Sequence, residues 1–269
     1  MMIDTKIHPK KSLGQNFLKD ENIARKIVSS LALKTDDHVL EIGAGAGVLT
    51  KYLIQRVKKV VAVEIDKNLV QQLLKKFWDC DNLFIYRDDI LNIYLEEILE
   101  RSQLWKVVAN LPYHITSPVL FKLFENRKLF GSATLMVQRE VAQRIIAQPG
   151  SKAYGILSVF SQYYADVKNL FDVSKHVFFP KPEVSSSVIR LDFRNNGSFN
   201  LQQERLFRQL VKGTFGQRRK MLRNSLKSTF EKNIDLTQLN FDLEQRPEDV
   251  SVECFVELTK QIESVLVLN

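Results

Sequence analysis

The sequence predicts an α/β fold: a mainly parallel sheet with helices on both faces, followed by a small helical domain. Three observations carry that expectation. Short apolar runs alternate with helix-period patterns from Thr35 to about Phe193. The first run stops in a cluster of glycines, the usual way to bring backbone close to a ligand. Past a polar cluster, Arg194-Asn-Asn-Gly-Ser198, the apolar spacing becomes helical throughout.

Composition narrows the class. A 45% hydrophobic content allows a sizeable core, and a net charge of +8 favours a polyanionic partner. Cys80 and Cys254 stand far apart, and His8, His38, His114 and His176 are scattered. Neither set has metal-ligand spacing or suggests a disulfide framework, so no metal and a reducing cytoplasm are expected. No apolar run has membrane-spanning length and none resembles a signal peptide, so no membrane partner is expected.

The N-terminal arm, His8-Pro-Lys-Lys-Ser-Leu-Gly-Gln-Asn-Phe-Leu18, is basic but carries Leu13, Phe17 and Leu18, which need somewhere to pack. It reads either as a solvated arm or as a segment that closes over a ligand through Gln15 to Leu18 while Lys10 and Lys11 meet phosphate. Asp20 is placed as the N-cap of a helix bearing Ile23, Ile27 and Leu31.

Strands are expected at Val39–Ile42, Val60–Val63, Leu83–Tyr86, Val107–Ala109, Ala133–Val137, Ala165–Phe171 and Val188–Leu191. Helices are expected at Leu49–Arg56, Asn68–Lys76, Pro118–Asn126, Glu140–Ala147 and Ile156–Tyr164. In such sheets ligands sit beyond the carboxyl ends of the strands. Those ends carry Gly43, Gly45 and Gly47, then Glu64, Asp88-Asp89 and Asn110. A helix beginning near Gly47 would offer free N–H groups. Glu64 lies about 20 residues past the first glycine, where a carboxylate suits ribose hydroxyls. The glycines run Gly-x-Gly-x-Gly, with Val48 where a dinucleotide fingerprint has its last glycine. A nucleoside without phosphates, such as S-adenosylmethionine, fits this loop better than a pyrophosphate. Asp89 could accept from an adenine amine or cap a helix starting at Ile90.

Asn110-Leu-Pro-Tyr113 ends a buried-strand pattern, and Pro112 prevents its continuation. An adenine N6 amine is a poor nucleophile because its lone pair is delocalised into the ring. The Asn110 side-chain oxygen and a carbonyl from Leu111 or Pro112 could accept its N–H groups and turn the lone pair toward a methyl sulfonium. The same acceptors favour the charge that develops on transfer. Tyr113 offers a face for an extruded base, and Phe178, in the rigid Phe178-Phe-Pro-Lys-Pro-Glu-Val184 loop, could supply a second. In the tail, Arg205, Arg208, Lys212, Arg218, Arg219, Lys220, Arg223 and Lys227 are interleaved with Phe207, Phe215 and Phe230. That pattern reads as an RNA-backbone surface.

Taken in order, Gln15-Asn-Phe-Leu18, Glu41-Ile-Gly-Ala-Gly-Ala-Gly47, Glu64, Asp89, Asn110-Leu-Pro-Tyr113 and Phe178-x-Pro-x-Pro-x-Val184 closely resemble the ribosomal RNA adenine N6,N6-dimethyltransferase family. The resemblance covers essentially the whole chain, including Gly216-Gln-Arg-Arg-Lys-Met-Leu-Arg-Asn-Ser-Leu226. It implies a Rossmann-like S-adenosylmethionine-dependent methyltransferase sheet, seven strands with one antiparallel, over residues 1–195. A helical RNA-binding domain over 196–269 would follow. The implied substrate is a pair of adjacent adenosines in a hairpin near the 3′ end of 16S rRNA, within an immature 30S subunit. Each would receive two methyls, leaving S-adenosylhomocysteine. Asn16, Leu18, Gly43, Gly45, Glu64, Asp89 and Asn110 would hold the cofactor. Asn110, Leu111, Pro112, Tyr113 and Phe178 would surround the target amine. Lys10, Lys11, Arg218, Arg219, Lys220 and Arg223 would meet RNA, and the protein would act as a monomer. Two alternatives share these residues: a large-subunit adenine methyltransferase conferring macrolide resistance, and a non-catalytic RNA-binding assembly factor. A nicotinamide dehydrogenase is disfavoured by the glycine spacing.

Overall fold

The computed structural model describes residues 9–10, 13–194, 199–230 and 234–267. Lys11 and residues 195–198, where the domain boundary was expected, lie outside the described residues. The chain forms two compact units, Met1–Ala142 with Ala165–Asn195, and Gln143–Tyr164 with Asn196–Asn269.

The elements run β1 (Phe17–Leu18), α1 (Glu21–Ser30), β2 (His38–Ile42), α2 (Thr50–Leu53), β3 (Lys59–Glu64), α3 (Lys67–Lys76), β4 (Leu83–Arg87), α4 (Leu95–Ile98) and β5 (Trp105–Asn110). They continue with α5 (Thr116–Glu125), β6 (Phe130–Gln138), α6 (Arg139–Ile146), α7 (Ile156–Tyr164), β7 (Ala165–Val173), β8 (Phe178–Phe179) and β9 (Ser186–Phe193). The tail adds α8 (Leu201–Gly216), α9 (Leu222–Thr229) and α10 (Val252–Val267).

The first unit is built on a seven-stranded sheet in the order β4-β3-β2-β5-β6-β9-β7. β2 is parallel to both β3 and β5, β3 to β4, and β5 to β6. Only β9 runs antiparallel to its neighbours, β6 and β7. The strand order reverses between β2 and β5, where a crevice opens in this class of sheet. Every residue of β2 is buried, as is all of β3 after Lys59, so these strands are covered on both faces. α1 starts where expected: the Asp20 carboxylate accepts the N–H groups of Asn22 and Ile23 at 2.8 and 3.1 Å. Its Ala24, Ile27 and Val28 enter one cluster with Val39, Val60 and Val108 of the sheet.

Two expectations need correction. The helix after the glycines covers only Thr50–Leu53, not Leu49–Arg56, and does not begin near Gly47. Gly43, Gly45 and Gly47 all have positive φ, +70°, +57° and +73°, which a right-handed helix cannot accommodate. The loop therefore completes its turn before helical geometry starts. The second correction is an addition. β1 and β8 form a separate two-stranded antiparallel ribbon, too short for any sequence period to reveal.

The second unit is helical. Asn200 caps α8 through a capping box: its side chain accepts the Gln203 N–H at 2.9 Å, and the Gln203 side chain accepts the Asn200 N–H at 3.0 Å. Tyr163, Phe160, Phe199 and Phe207 form a packed aromatic cluster, and Phe215 meets Phe255. Thus Phe207, Phe215 and Phe230 are core residues, not the surface aromatics that their spacing among basic residues suggested.

Gly47 tests the loop. A Cβ there would lie 2.6 Å from the Phe77 ring, in addition to the cost of its φ of +73°. Gly47→Ala is expected to destabilise the protein by about 2 kcal/mol or more, read as a lower urea midpoint. An unchanged midpoint would mean that the loop is not held this tightly.

Candidate active site

The strand register assembles the site. Ile42 pairs with Val63 on one side and with Ala109 on the other. Gly43, Glu64 and Asn110 each follow one of these residues, so all three stand in one row at the carboxyl edge. Asp88 and Asp89 follow β4 beside Glu64, and the Asp88 N–H donates to the Glu64 carbonyl at 3.2 Å. Above the row is a cavity of about 320 Å³, within the range of small-molecule sites, roughly 300–1,000 Å³.

The cavity is lined by four acidic side chains, Glu41, Glu64, Asp88 and Asp89, and, among the described residues, by no lysine or arginine. Glu41 is 1% exposed and accepts the Thr50 hydroxyl at 2.6 Å. Burial pushes its carboxyl up to about 8; the nearby Glu64 charge adds to the rise, while the Thr50 hydroxyl opposes it. The Glu64 carboxyl is raised likewise, again mainly by burial. Glu64 is aimed by two main-chain donors, the N–H of Gly45 and that of Asp66, each at 2.9 Å. Its remaining lone pairs suit hydroxyl donors. Such a site repels phosphates and favours a ligand that brings positive charge.

Asn110 is the best-oriented polar group. Its Nδ2 donates to the carbonyl of Asn16 at 3.0 Å. A carbonyl can only accept, so this bond fixes which end of the amide faces Asn16. The Oδ1 is left as an acceptor with no hydrogen bond among the described residues. Of the two neighbouring carbonyls, that of Pro112 already accepts from the Ile115 N–H at 3.2 Å and the Thr116 hydroxyl at 3.4 Å. No such bond reaches the Leu111 carbonyl among the described residues. Tyr113, on a short 3₁₀ turn, shares a 3.2 Å hydrogen bond with the buried Ser186 hydroxyl. Phe178 lines the cavity but is only 2% exposed, packed with Leu18 and Ile27.

The arm crosses the cavity. Gln15, Asn16, Phe17 and Leu18 all line it. The Asn16 side chain donates to the Gly14 carbonyl at 3.2 Å. Lys10, expected at phosphate, pairs instead with Asp66 at 2.9 Å, and its N–H donates to the Gln15 side chain at 2.8 Å. Burial raises the Asp66 carboxyl, but hydrogen bonds from Lys10 and the Asn68 N–H outweigh it and hold the group below the usual range. Asp89 begins no helix. Its Oδ1 accepts the Leu91 N–H at 2.9 Å in a turn, and the residue still lines the cavity.

Sequence reasoning assigned no role to Glu41 or Asp66. The signal for Glu41 was a lone acid inside an otherwise apolar strand. Asp66 could be read as the N-cap of α3, which concealed its ion pair with the arm.

In the second unit, Arg218, Arg219 and Lys220 lie in the turn between α8 and α9. Arg218 is held by Glu248 at 2.5 Å and donates to the Lys152 carbonyl at 2.9 Å. Arg223 pairs with Glu244. Arg219 and Lys220 are exposed and form no ion pair among the described residues. No helix among the described residues is long and apolar enough to cross a membrane.

Comparison with known proteins agrees with this geometry. The profile described as ribosomal RNA adenine dimethylase matches residues 7–264. The chain is 45% identical to ribosomal RNA small subunit methyltransferase A of Chlorobium phaeobacteroides (strain BS1), over 96% of this chain and 95% of that protein. Its structure resembles that of a dimethyladenosine transferase from Plasmodium falciparum, with a TM-score of 0.78 and 26% identity, over 92% of this chain and 98% of the other. The 23S rRNA methyltransferase ErmE has the same fold at 23% identity, with a TM-score of 0.69, over 92% and 99% of the two chains.

Glu41 gives the site a pH signature. Its carboxyl titrates at about 8 when folded and near its ordinary 4.5 when unfolded. Between those values the native state binds the extra proton, so stability falls as pH rises. Its contribution is complete below about 4.5 and is lost as pH passes 8. Glu41→Gln should remove that slope, and its melting temperature should gain on the wild type's as pH rises through this window. Parallel melting curves for the two proteins would refute the assignment.

Proposed function

The chain belongs to the ribosomal RNA adenine dimethylase family, and from that premise we propose that it places two methyl groups on the N6 amine of each of two adjacent adenosines. The substrate we infer is the hairpin near the 3′ end of 16S rRNA, in an immature 30S subunit. The protein would act there as a cytoplasmic monomer during small-subunit biogenesis. S-adenosylmethionine supplies an electrophilic methyl on a positively charged sulfur when bound.

The acid-lined cavity supports that cofactor, because carboxylates without cations favour a sulfonium and an ammonium over a pyrophosphate. Gly43 and Gly45 would lie beside the methionine part, Glu64 would accept from the ribose hydroxyls, and Asp89 from the adenine amine. Asn16 and Leu18 would close the site from the arm.

The observation that carries the reading is the unpaired Asn110 Oδ1 beside the unpaired Leu111 carbonyl. Two acceptors at that spot suit the two hydrogens of an adenine N6 amine, turning its lone pair out of conjugation. They also stabilise positive charge on the nitrogen as the methyl arrives. Pro112 shapes the turn but spends its own carbonyl on Ile115 and Thr116. Tyr113 and Phe178 would flank the extruded base. No general base is required: the methylated amine is acidic enough to release its proton to water, so positioning supplies most of the rate.

Labelled methyl transfer to under-methylated 30S particles, with 50S particles as control and mass spectrometry of the nucleosides, tests the assignment. Dimethyladenosine confined to 30S is expected; modification of 50S alone would overturn it. Asn110→Ala should lower kcat by about 100-fold or more, the scale of one preorganised polar partner, while RNA binding persists. Near-normal turnover would remove Asn110 from the mechanism. The double variant Arg219→Ala, Lys220→Ala should weaken RNA binding and reduce the salt slope by about one to two. An unchanged slope would take that turn out of the interface.

A further inference from the structure

The β1–β8 ribbon has two unlike faces. Directly paired residues in an antiparallel ribbon share a face. Leu18 pairs with Phe178, and both are buried in the hydrophobic cluster around α1. Phe17 pairs with Phe179 on the other face. Phe17 turns its ring toward Gly45 of the glycine loop and is buried. Phe17, Leu18 and Phe178 all line the cavity, whereas Phe179, the partner of Phe17, is 47% exposed and leaves an open aromatic ring on the outer end of the ribbon. Lys19 follows on the arm, its N–H bonded to the Val177 carbonyl at 2.8 Å. Its ammonium lies 5.8 Å from the Phe179 ring centre. Lys181, two residues past Phe179, is a further exposed cation.

A lone exposed phenylalanine is unremarkable. One paired with a cavity-lining phenylalanine, with one cation 5.8 Å from its ring and another two residues on, matches the chemistry of a nucleotide: a flat base and an anionic phosphate. Resting on the dimethyltransferase reading above, we propose that Phe179 and Lys19 form a docking platform for the nucleotide adjoining the extruded adenosine. Extruding one base strips its neighbour of a stacking face. The Phe179 ring replaces that face, and Lys19 meets the phosphate. Because the two target adenosines are adjacent, each in turn needs such a place while the other is in the cavity.

The test is a binding cycle with the full-length protein in S-adenosylhomocysteine. The probes are a fluorescein-labelled RNA hairpin carrying the adjacent adenosines and the same hairpin with an abasic nucleotide beside the target. Phe179→Ala is expected to weaken binding of the intact hairpin about tenfold, the order of one lost base–aromatic stack. It should have little effect on the abasic hairpin, and Phe179→Trp should restore affinity. Lys19→Ala should lower the salt slope by about one. Unchanged S-adenosylhomocysteine affinity, by calorimetry, verifies that each variant is folded. Equal affinities of wild type and Phe179→Ala, or the same loss on both hairpins, overturn the proposal. A coupled cycle in a wild-type protein that transfers no methyl would keep the platform and reject the dimethyltransferase reading instead.

Discussion

The site depends on register. Parallel pairing aligns Ile42, Val63 and Ala109 across three strands, and the next residue of each carries the chemistry. A slip of one residue would turn every side chain to the opposite face, and in strands covered on both faces each would then meet a close-packed surface shaped for another. Here such a slip would also move Asn110 or Glu64 out of the row. The same apolar packing that stabilises the sheet therefore sets the spacing between Gly43, Glu64 and Asn110 along the cavity, and, on the proposed mechanism, between cofactor and target amine.

Electrostatics then divides the protein. The chain as a whole has a net charge of +8, which attracts a polyanion from a distance. The cavity reverses that sign through Glu64, Asp88 and Asp89, while the buried Glu41, its carboxyl pushed up to about 8, adds charge only above neutral pH. Glu41 and Glu64 disfavour ionisation of one another, and burial disfavours it further. A cationic ligand relieves both penalties, whereas a phosphate would deepen them. A basic exterior with an acidic cavity thus separates RNA backbone from cofactor by charge alone, before any shape is considered.

Much of this was legible because it is local. Asp20 reads as a cap, the apolar runs as strands, and Asn110-Leu-Pro-Tyr113 as a strand stopped by proline, since each signal lies within a few residues. What was hidden involves partners far apart in sequence. Lys10 looked like a free cation because its partner, Asp66, is distant along the chain. Arg218 looked like part of an RNA surface because Glu248 was not visible beside it. The β1–β8 ribbon consists of two residues on each strand, below any detectable period. The interleaved phenylalanines misled for another reason. A two-residue comparison of aromatic and basic neighbours cannot say which side of a helix each occupies, and in α8 the rings take the inside.

The arm and the strand end also bear on double methylation. Asn110 is held by its own Nδ2 on the Asn16 carbonyl, so its acceptor does not depend on substrate for orientation. On the proposed mechanism, an unmethylated amine would engage both Oδ1 and the Leu111 carbonyl. After one transfer only one N–H remains, and one acceptor must lose its partner. A side chain that needed two substrate hydrogens to stay in place would then swing away. Asn110 does not, because the arm holds it. The amine can therefore rotate its new methyl toward the vacated acceptor and present its lone pair again to the same point. In that mechanism the arm would do more than cover the cofactor, since its hold on Asn110 would keep the geometry constant between the first and second methyl.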